Sequence, residues 1–268
     1  MRIAALPAAL LAASFLVPAV PAGTSALAPA KVIARLDLTR PFRTRSPWWF
    51  VARQQPDIMI NEYPYPGELR YCLTGGANRP CRAALPSVPH PPAPMTDEDW
   101  APHTIDTARL VYPHGRDALP LLLLQMQGEP SSGDGERTRF ALLVSYDRAA
   151  DRFVPVFQQM TFHNNNQVTR YIESGPLAGA MVVAEPTGNA PFGFWVTVSR
   201  PNRAYHYRQV LRYRSATLYD DGNLLSVVDS EMPNILYRLG QWRPGAPLPV
   251  PARDCPKPRL VRMELWCR

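Results

Sequence analysis

Lysine is almost missing from this chain: Lys31 and Lys257 are the only two among 268 residues, and the other basic residues are arginines scattered along the sequence. No Lys/Arg run forms and no basic stretch interleaves with aromatics, so the formal charge of +7 reads as dispersed, solvated charge. That distribution leaves a weak attraction to anionic envelope polymers and makes a nucleic-acid partner unlikely. Catalytic signatures are missing too. There is no G-x-S-x-G elbow, H-E-x-x-H helix, Walker A loop, G-x-G-x-x-G turn or S-x-x-K pair. The five histidines, His90, His103, His114, His163 and His206, stand isolated, and neither a metal nor another cofactor is expected.

A long apolar run occurs once, at residues 3–17, after the basic start Met1-Arg2 and before Val20-Pro21-Ala22. A run too short to span a bilayer, with small residues at the −3 and −1 positions, is the pattern of a secretory signal peptide over residues 1–22. The mature protein is therefore expected to be periplasmic or secreted, with no transmembrane anchor. Cysteine is sparse but even in number: Cys72, Cys81, Cys255 and Cys267. C-x8-C and C-x11-C are not zinc spacings, and export favours oxidation, so two local disulfides, Cys72 with Cys81 and Cys255 with Cys267, are expected.

Proline is abundant: 31 residues, more than twice the usual ~5%. Each internal proline removes a backbone donor and clashes with the preceding helical turn, which excludes long helices and leaves a mostly β fold. Residues 23–47 form a lead-in segment in which 32–38 alternates. Residues 48–94 comprise the disulfide-bearing β block, with turns at Pro64-Tyr65-Pro66-Gly67 and Gly75-Gly76, and a proline-rich linker over 86–94. Residues 95–250 form the main β domain, and 251–268 a last strand, 260–266, closed by a disulfide. Within the main domain, 121–174 and 179–230 carry the same succession of apolar runs and polar corners, so each reads as an antiparallel meander. Such repetition suits a β-propeller-like or a β-sandwich arrangement. One short C-terminal helix is expected over 230–240, capped by Asp229 or Ser230, with Pro233 in its first turn and Gly240 ending it.

Candidate chemistry is confined to strand ends and corners. Glu185, Asp229 and Glu231 are the carboxylates that could supply an acid/base pair for glycoside cleavage, where two carboxyls must lie roughly 5–10 Å apart. The bland alternative makes Asp229 a cap and Glu231 an exposed first-turn acid on the helix dipole. His163 and Asn165 in one corner, and Asp220 and Asp221 in the other, could line a groove, although Asp221-Gly222 is first of all a hairpin turn. Trp48 and Trp49 could stack on sugars, with core packing as their default.

The segments 225–235, 239–245 and 264–267, which include Asp229-Ser230-Glu231-Met232-Pro233 and Glu264-Leu265-Trp266-Cys267, resemble an uncharacterised exported proteobacterial protein family. The resemblance covers chiefly the last hundred residues and implies a periplasmic home without a mechanism. The expectation is thus an exported cell-envelope binding or structural module whose partner is a glycan or a protein. The competing class is a periplasmic glycoside-type hydrolase.

Overall fold

In the computed structural model the described residues form three four-stranded antiparallel sheets, each an up-and-down meander. The structure describes residues 30–60, 62–85, 101–130, 137–161, 168–188, 193–215, 217–218, 222–250, 255 and 257–267. The expected signal peptide and the 86–94 linker lie outside them. The chain begins with β1 (Lys31–Asp37), one-turn α1 (Thr39–Phe42) and β2 (Trp49–Gln54). An inserted hairpin, β3 (Ile58–Ile60) and β4 (Tyr63–Tyr65), then leads to β5 (Leu69–Thr74) and β6 (Cys81–Ala84). The first sheet pairs β1-β2-β5-β6. The second is built of β7 (Pro102–Val111), β8 (Leu121–Pro130), β9 (Arg137–Asp147) and β10 (Arg152–Thr161). The third is built of β11 (Val168–Tyr171), β12 (Met181–Pro186), β13 (Phe194–Pro201) and β14 (Tyr207–Arg214). The two larger meanders share one strand order, and each begins a strand earlier than the apolar runs at 121 and 179.

The stacking of the sheets follows from the four leucines that open β8. Leu121, Leu122, Leu123 and Leu124 are all fully buried, as successive side chains on opposite faces of a strand can be only when both faces are covered. Leu122 and Leu124 join Phe50, Leu73 and Phe42 of the first layer. Leu121 and Leu123 join Tyr171 and Met181 of the third. The opposite face of the third sheet, with Val182, Ala184, Val196 and Val198, packs on the C-terminal helices through Val228, Ile235 and Leu236. The arrangement is sandwich-like, with sheets face to face and a helical layer at one end.

The C-terminal layer departs from the sequence pattern at two points. Helix formation starts a turn early, as α2 (Val227–Ser230), whose cap is Ser226 and not Asp229 or Ser230; the Ser226 side chain accepts from the Asp229 backbone N–H. Then α3 (Met232–Arg238) follows, with its proline in the first turn. The expected single last strand is a hairpin, β15 (Arg259–Val261) with β16 (Glu264–Trp266), turned by Arg262 and Met263, both at positive φ. That left-handed pair suits a two-residue hairpin turn. Among the described residues, no helix is long and apolar enough to cross a membrane.

A polar tie joins the first layer to the second. Asp151, at the β9–β10 turn, accepts from the Tyr146 hydroxyl at 2.5 Å, the Ser46 hydroxyl at 2.8 Å and the Trp48 indole at 3.0 Å. The Arg82 guanidinium lies 3.5 Å away. These bonds, the one from Tyr146 foremost, hold the Asp151 carboxyl down at about 2. A folded-state value below the ordinary one means that the bonds contribute fully above about pH 4 and are lost as pH falls toward 2. Asp151→Asn, which keeps a residue tolerant of the positive φ found here, should lower the urea midpoint at neutral pH and flatten its dependence between pH 4 and 2. An unchanged acid limb in a urea titration series would refute this role.

The disulfides Cys72–Cys81 and Cys255–Cys267 are both formed. Iodoacetamide should therefore label nothing before reduction, and peptide mapping should recover both local pairs. The double Cys72→Ser, Cys81→Ser variant should lose about 2–3 kcal/mol of stability, the chain-entropy value for so short a loop.

Candidate functional site

The three candidate carboxylates are carried to three different places. Glu185 sits on β12 at an odd position, like Met181, which faces the second sheet. There it accepts a hydrogen bond from Gln159 of β10 at 3.3 Å. Asp229 and Glu231 belong to the helical layer on the other face. Asp229 is held by the Arg170 guanidinium of β11 and by the Ser226 hydroxyl at 2.8 Å. Glu231 is fully buried and turns toward β14. Its Oε2 accepts from the Tyr213 hydroxyl at 2.7 Å and the Asn234 amide at 2.8 Å, and its Oε1 from the Thr217 hydroxyl at 2.7 Å. β11 and β14 are the two edges of the third sheet, so the two helix-layer carboxylates receive their bonds from opposite edges of it.

Glu231 also corrects the reading of it as an exposed acid on a helix dipole. Burial pushes the Tyr213 phenol well above its ordinary value, and the Glu231 charge beside it adds to the shift. The phenol therefore stays protonated and donates. The Arg238 guanidinium, fixed by Asn234 Oδ1 at 2.9 Å, lies over the Tyr213 ring at 4.3 Å from its centroid, which brings a positive charge to the edge of the cluster. This carboxylate fastens α3 to β14.

Trp48 is not available to stack on a sugar, since only 3% of it is exposed. Its indole N–H is committed to Asp151 and its ring packs edge-on against Phe153. Trp49 is half-buried in β2, paired with Asp37 and Thr74. His163, Asn165, Asp220 and Asp221 lie outside the described residues. Among the described residues, no cluster of His, Cys, Asp and Glu could hold a metal ion.

The structure does form a cleft, of about 1000 Å³, along the β11 edge between the second sheet and the helical layer. Strand alternation places Arg170, the register partner of Val182, on the helix side. Thr169 and Tyr171 are thereby turned toward β7 and β8. Gln125 of β8 donates to the Thr169 carbonyl at 2.7 Å, and Arg109 of β7 pairs with Glu173 at 2.6 Å. On the far wall Ser226 and Asp229 form an S-x-x-D cap in which Arg170 also donates to the Ser226 hydroxyl at 2.9 Å. Leu225, Met232, Leu236 and Val250 supply the apolar part of the lining. Gly179 closes the turn that follows β11. Its φ is +83°, and a Cβ there would meet Pro113 of the β7–β8 connection at 2.9 Å, so only glycine fits without strain. Burial raises the Tyr171 phenol to about 12, which keeps it neutral over the working range.

This cleft offers hydrogen-bonding groups and apolar surface, and each of its guanidiniums faces a carboxylate, Arg109 that of Glu173 and Arg170 that of Asp229. The one sequence signal for it was Ser226-x-x-Asp229, a capping pattern. Arg109 and Arg170, 61 residues apart in sequence, gave none. No family model, curated protein or solved structure matches this chain.

Replacing Glu231 by Gln should cost about 1–3 kcal/mol, the range for leaving a buried hydrogen-bond group unsatisfied. An exposed helix-dipole contact would cost only about 0.3–1 kcal/mol. Equilibrium denaturation of the single variant decides between them, and a loss under about 0.5 kcal/mol would refute the buried tie.

Proposed function

We propose that this protein is an exported binding module of the cell envelope that holds its ligand in the β11 cleft and does not cleave it. The observation that carries the reading is the mutual pairing of the charged groups that line the cleft, Arg109 with Glu173 and Arg170 with Asp229, while Glu185 and Glu231 are engaged by donors elsewhere. Export draws support from the signal-peptide pattern of residues 1–22 and from two disulfides, which persist in oxidising compartments. The mixture of paired charge and apolar wall suits a ligand of mixed character, as protein-binding and ligand-binding surfaces commonly are.

The test compares the immobilised mature chain with its Leu225→Trp variant, in which the larger ring fills the cleft. Periplasmic extract is passed over both, and the retained material is characterised by mass. One component should be held at least tenfold better by the unmodified protein and should elute chemically intact. Recovery of shortened chains would assign a hydrolase, and equal retention by both proteins would move binding away from the cleft.

A further inference from the structure

The third sheet exposes an aromatic that its packing does not require. Along β13, Phe194, Val196 and Val198 are buried against the helical layer, while the alternate residues Trp195, Thr197 and Ser199 face the other way. On that side the second sheet covers the Tyr207 end, where Phe157 meets Tyr207 with ring centroids 5.5 Å apart. Trp195 remains 39% exposed. Its register partners are Glu185 on β12 and Arg214 on β14, and that of Thr197 is Arg212. Directly paired residues share a face, so Glu185, Trp195 and Arg214 form one row across three strands, with Arg212 beside it. The Arg212 guanidinium lies 4.8 Å from the Trp195 ring centroid. Both arginines are exposed, and neither has a carboxylate partner among the described residues.

Arginines on an edge strand guard against edge-to-edge association, but that duty does not call for an exposed tryptophan between them. We propose that this corner is a docking surface for a carboxylated polysaccharide. Arg212 and Arg214, two residues apart on one face and so about 7 Å apart, present two forks, each able to take a carboxylate bidentately. Stacking on the indole pre-orients the Arg212 fork and lowers the cost of fixing it. Trp195 supplies apolar area for sugar-ring edges, and the Thr197 hydroxyl supplies a neutral donor and acceptor. Glu185 in the same row is an acceptor that a sugar hydroxyl can donate to, which suits a ligand rich in hydroxyls. The overall charge of +7 adds long-range attraction to such a polymer. Access to envelope polysaccharides rests on the export proposed above, but the surface is separate from the cleft.

The probe is a polyuronate oligosaccharide titrated calorimetrically into the mature, disulfide-intact protein at low salt. Neutral glucan of the same length, inorganic polyphosphate and single-stranded oligo-dT are titrated in parallel. The polyuronate should bind and glucan should not. Affinity should fall at least tenfold in the Arg212→Gln, Arg214→Gln pair, whose surface positions leave the fold intact by circular dichroism. It should fall at least threefold in Trp195→Phe, and it should be unchanged in Leu225→Trp. No polyuronate binding, binding that survives the double Gln variant, or tighter binding of oligo-dT or polyphosphate would each overturn the proposal. Loss of binding in Leu225→Trp alone would assign the glycan to the cleft instead, so the two readings fail separately.

Discussion

Everything in this fold depends on the second sheet being buried on both faces. Four successive leucines in β8 have no solvent side to choose, so a first layer must cover Leu122 and Leu124 and a third must cover Leu121 and Leu123. Such a run drives stacking strongly but specifies register weakly, because sliding it by one residue exchanges leucine for leucine. Register must come from groups that cannot slide. Gln125 to the Thr169 carbonyl, Tyr205 to the Leu119 carbonyl and Tyr207 to the Gly179 carbonyl are hydrogen bonds of 2.7 Å each that join the second layer and its connections to the third, or fix the turn between them. They add direction to what the leucines supply as burial.

The same division of labour explains where the carboxylates went. Asp151 and Glu231 each accept three hydrogen bonds from neutral groups, in both cases gathered from more than one element. A carboxylate is an acceptor-only group with room for several donors, which makes it a good knot where strands and helices of different layers meet. Arg82 near one and Arg238 near the other place positive charge at the margin of the cluster and not at its centre. The desolvation cost of an ion pair is thereby reduced on the cation's side, since both arginines keep contact with solvent.

How much of this was legible in sequence depended on the range of the interaction. Proline density, the alternation at 32–38 and the cysteine spacings are local signals, and they led to the β class and both disulfides. The repeated order of apolar runs was visible, whereas the strand that opens each meander was not, because β7 contains Pro102 and Asp106, and β11 is only four residues long. Glu231 looked like a first-turn acid because Tyr213 and Thr217, which bury it, belong to another element. Arg262-Met263 contains neither Gly nor Asn, so the hairpin they turn carries no composition signal. Trp195 alternates with buried neighbours as any strand residue would; its exposure is decided by how far the second sheet extends above it.

That last dependence also accounts for the position of both candidate surfaces. The strands of the second sheet run to 10 or 11 residues, while those of the third lengthen across the sheet from 4 in β11 to 6 in β12 and 8 in β13 and β14. Layers of unequal outline cannot cover one another completely. Where the third sheet is short, at β11, the longer strands β7 and β8 face the helical layer across a gap, and that gap is the cleft. Toward β14, on the other side, Trp195 of β13 and Arg212 and Arg214 of β14 stay exposed. Mismatch in strand length thus leaves a cleft at one edge of the sheet and an exposed Trp195, Arg212 and Arg214 toward the other, so the two proposed ligand surfaces share no residue.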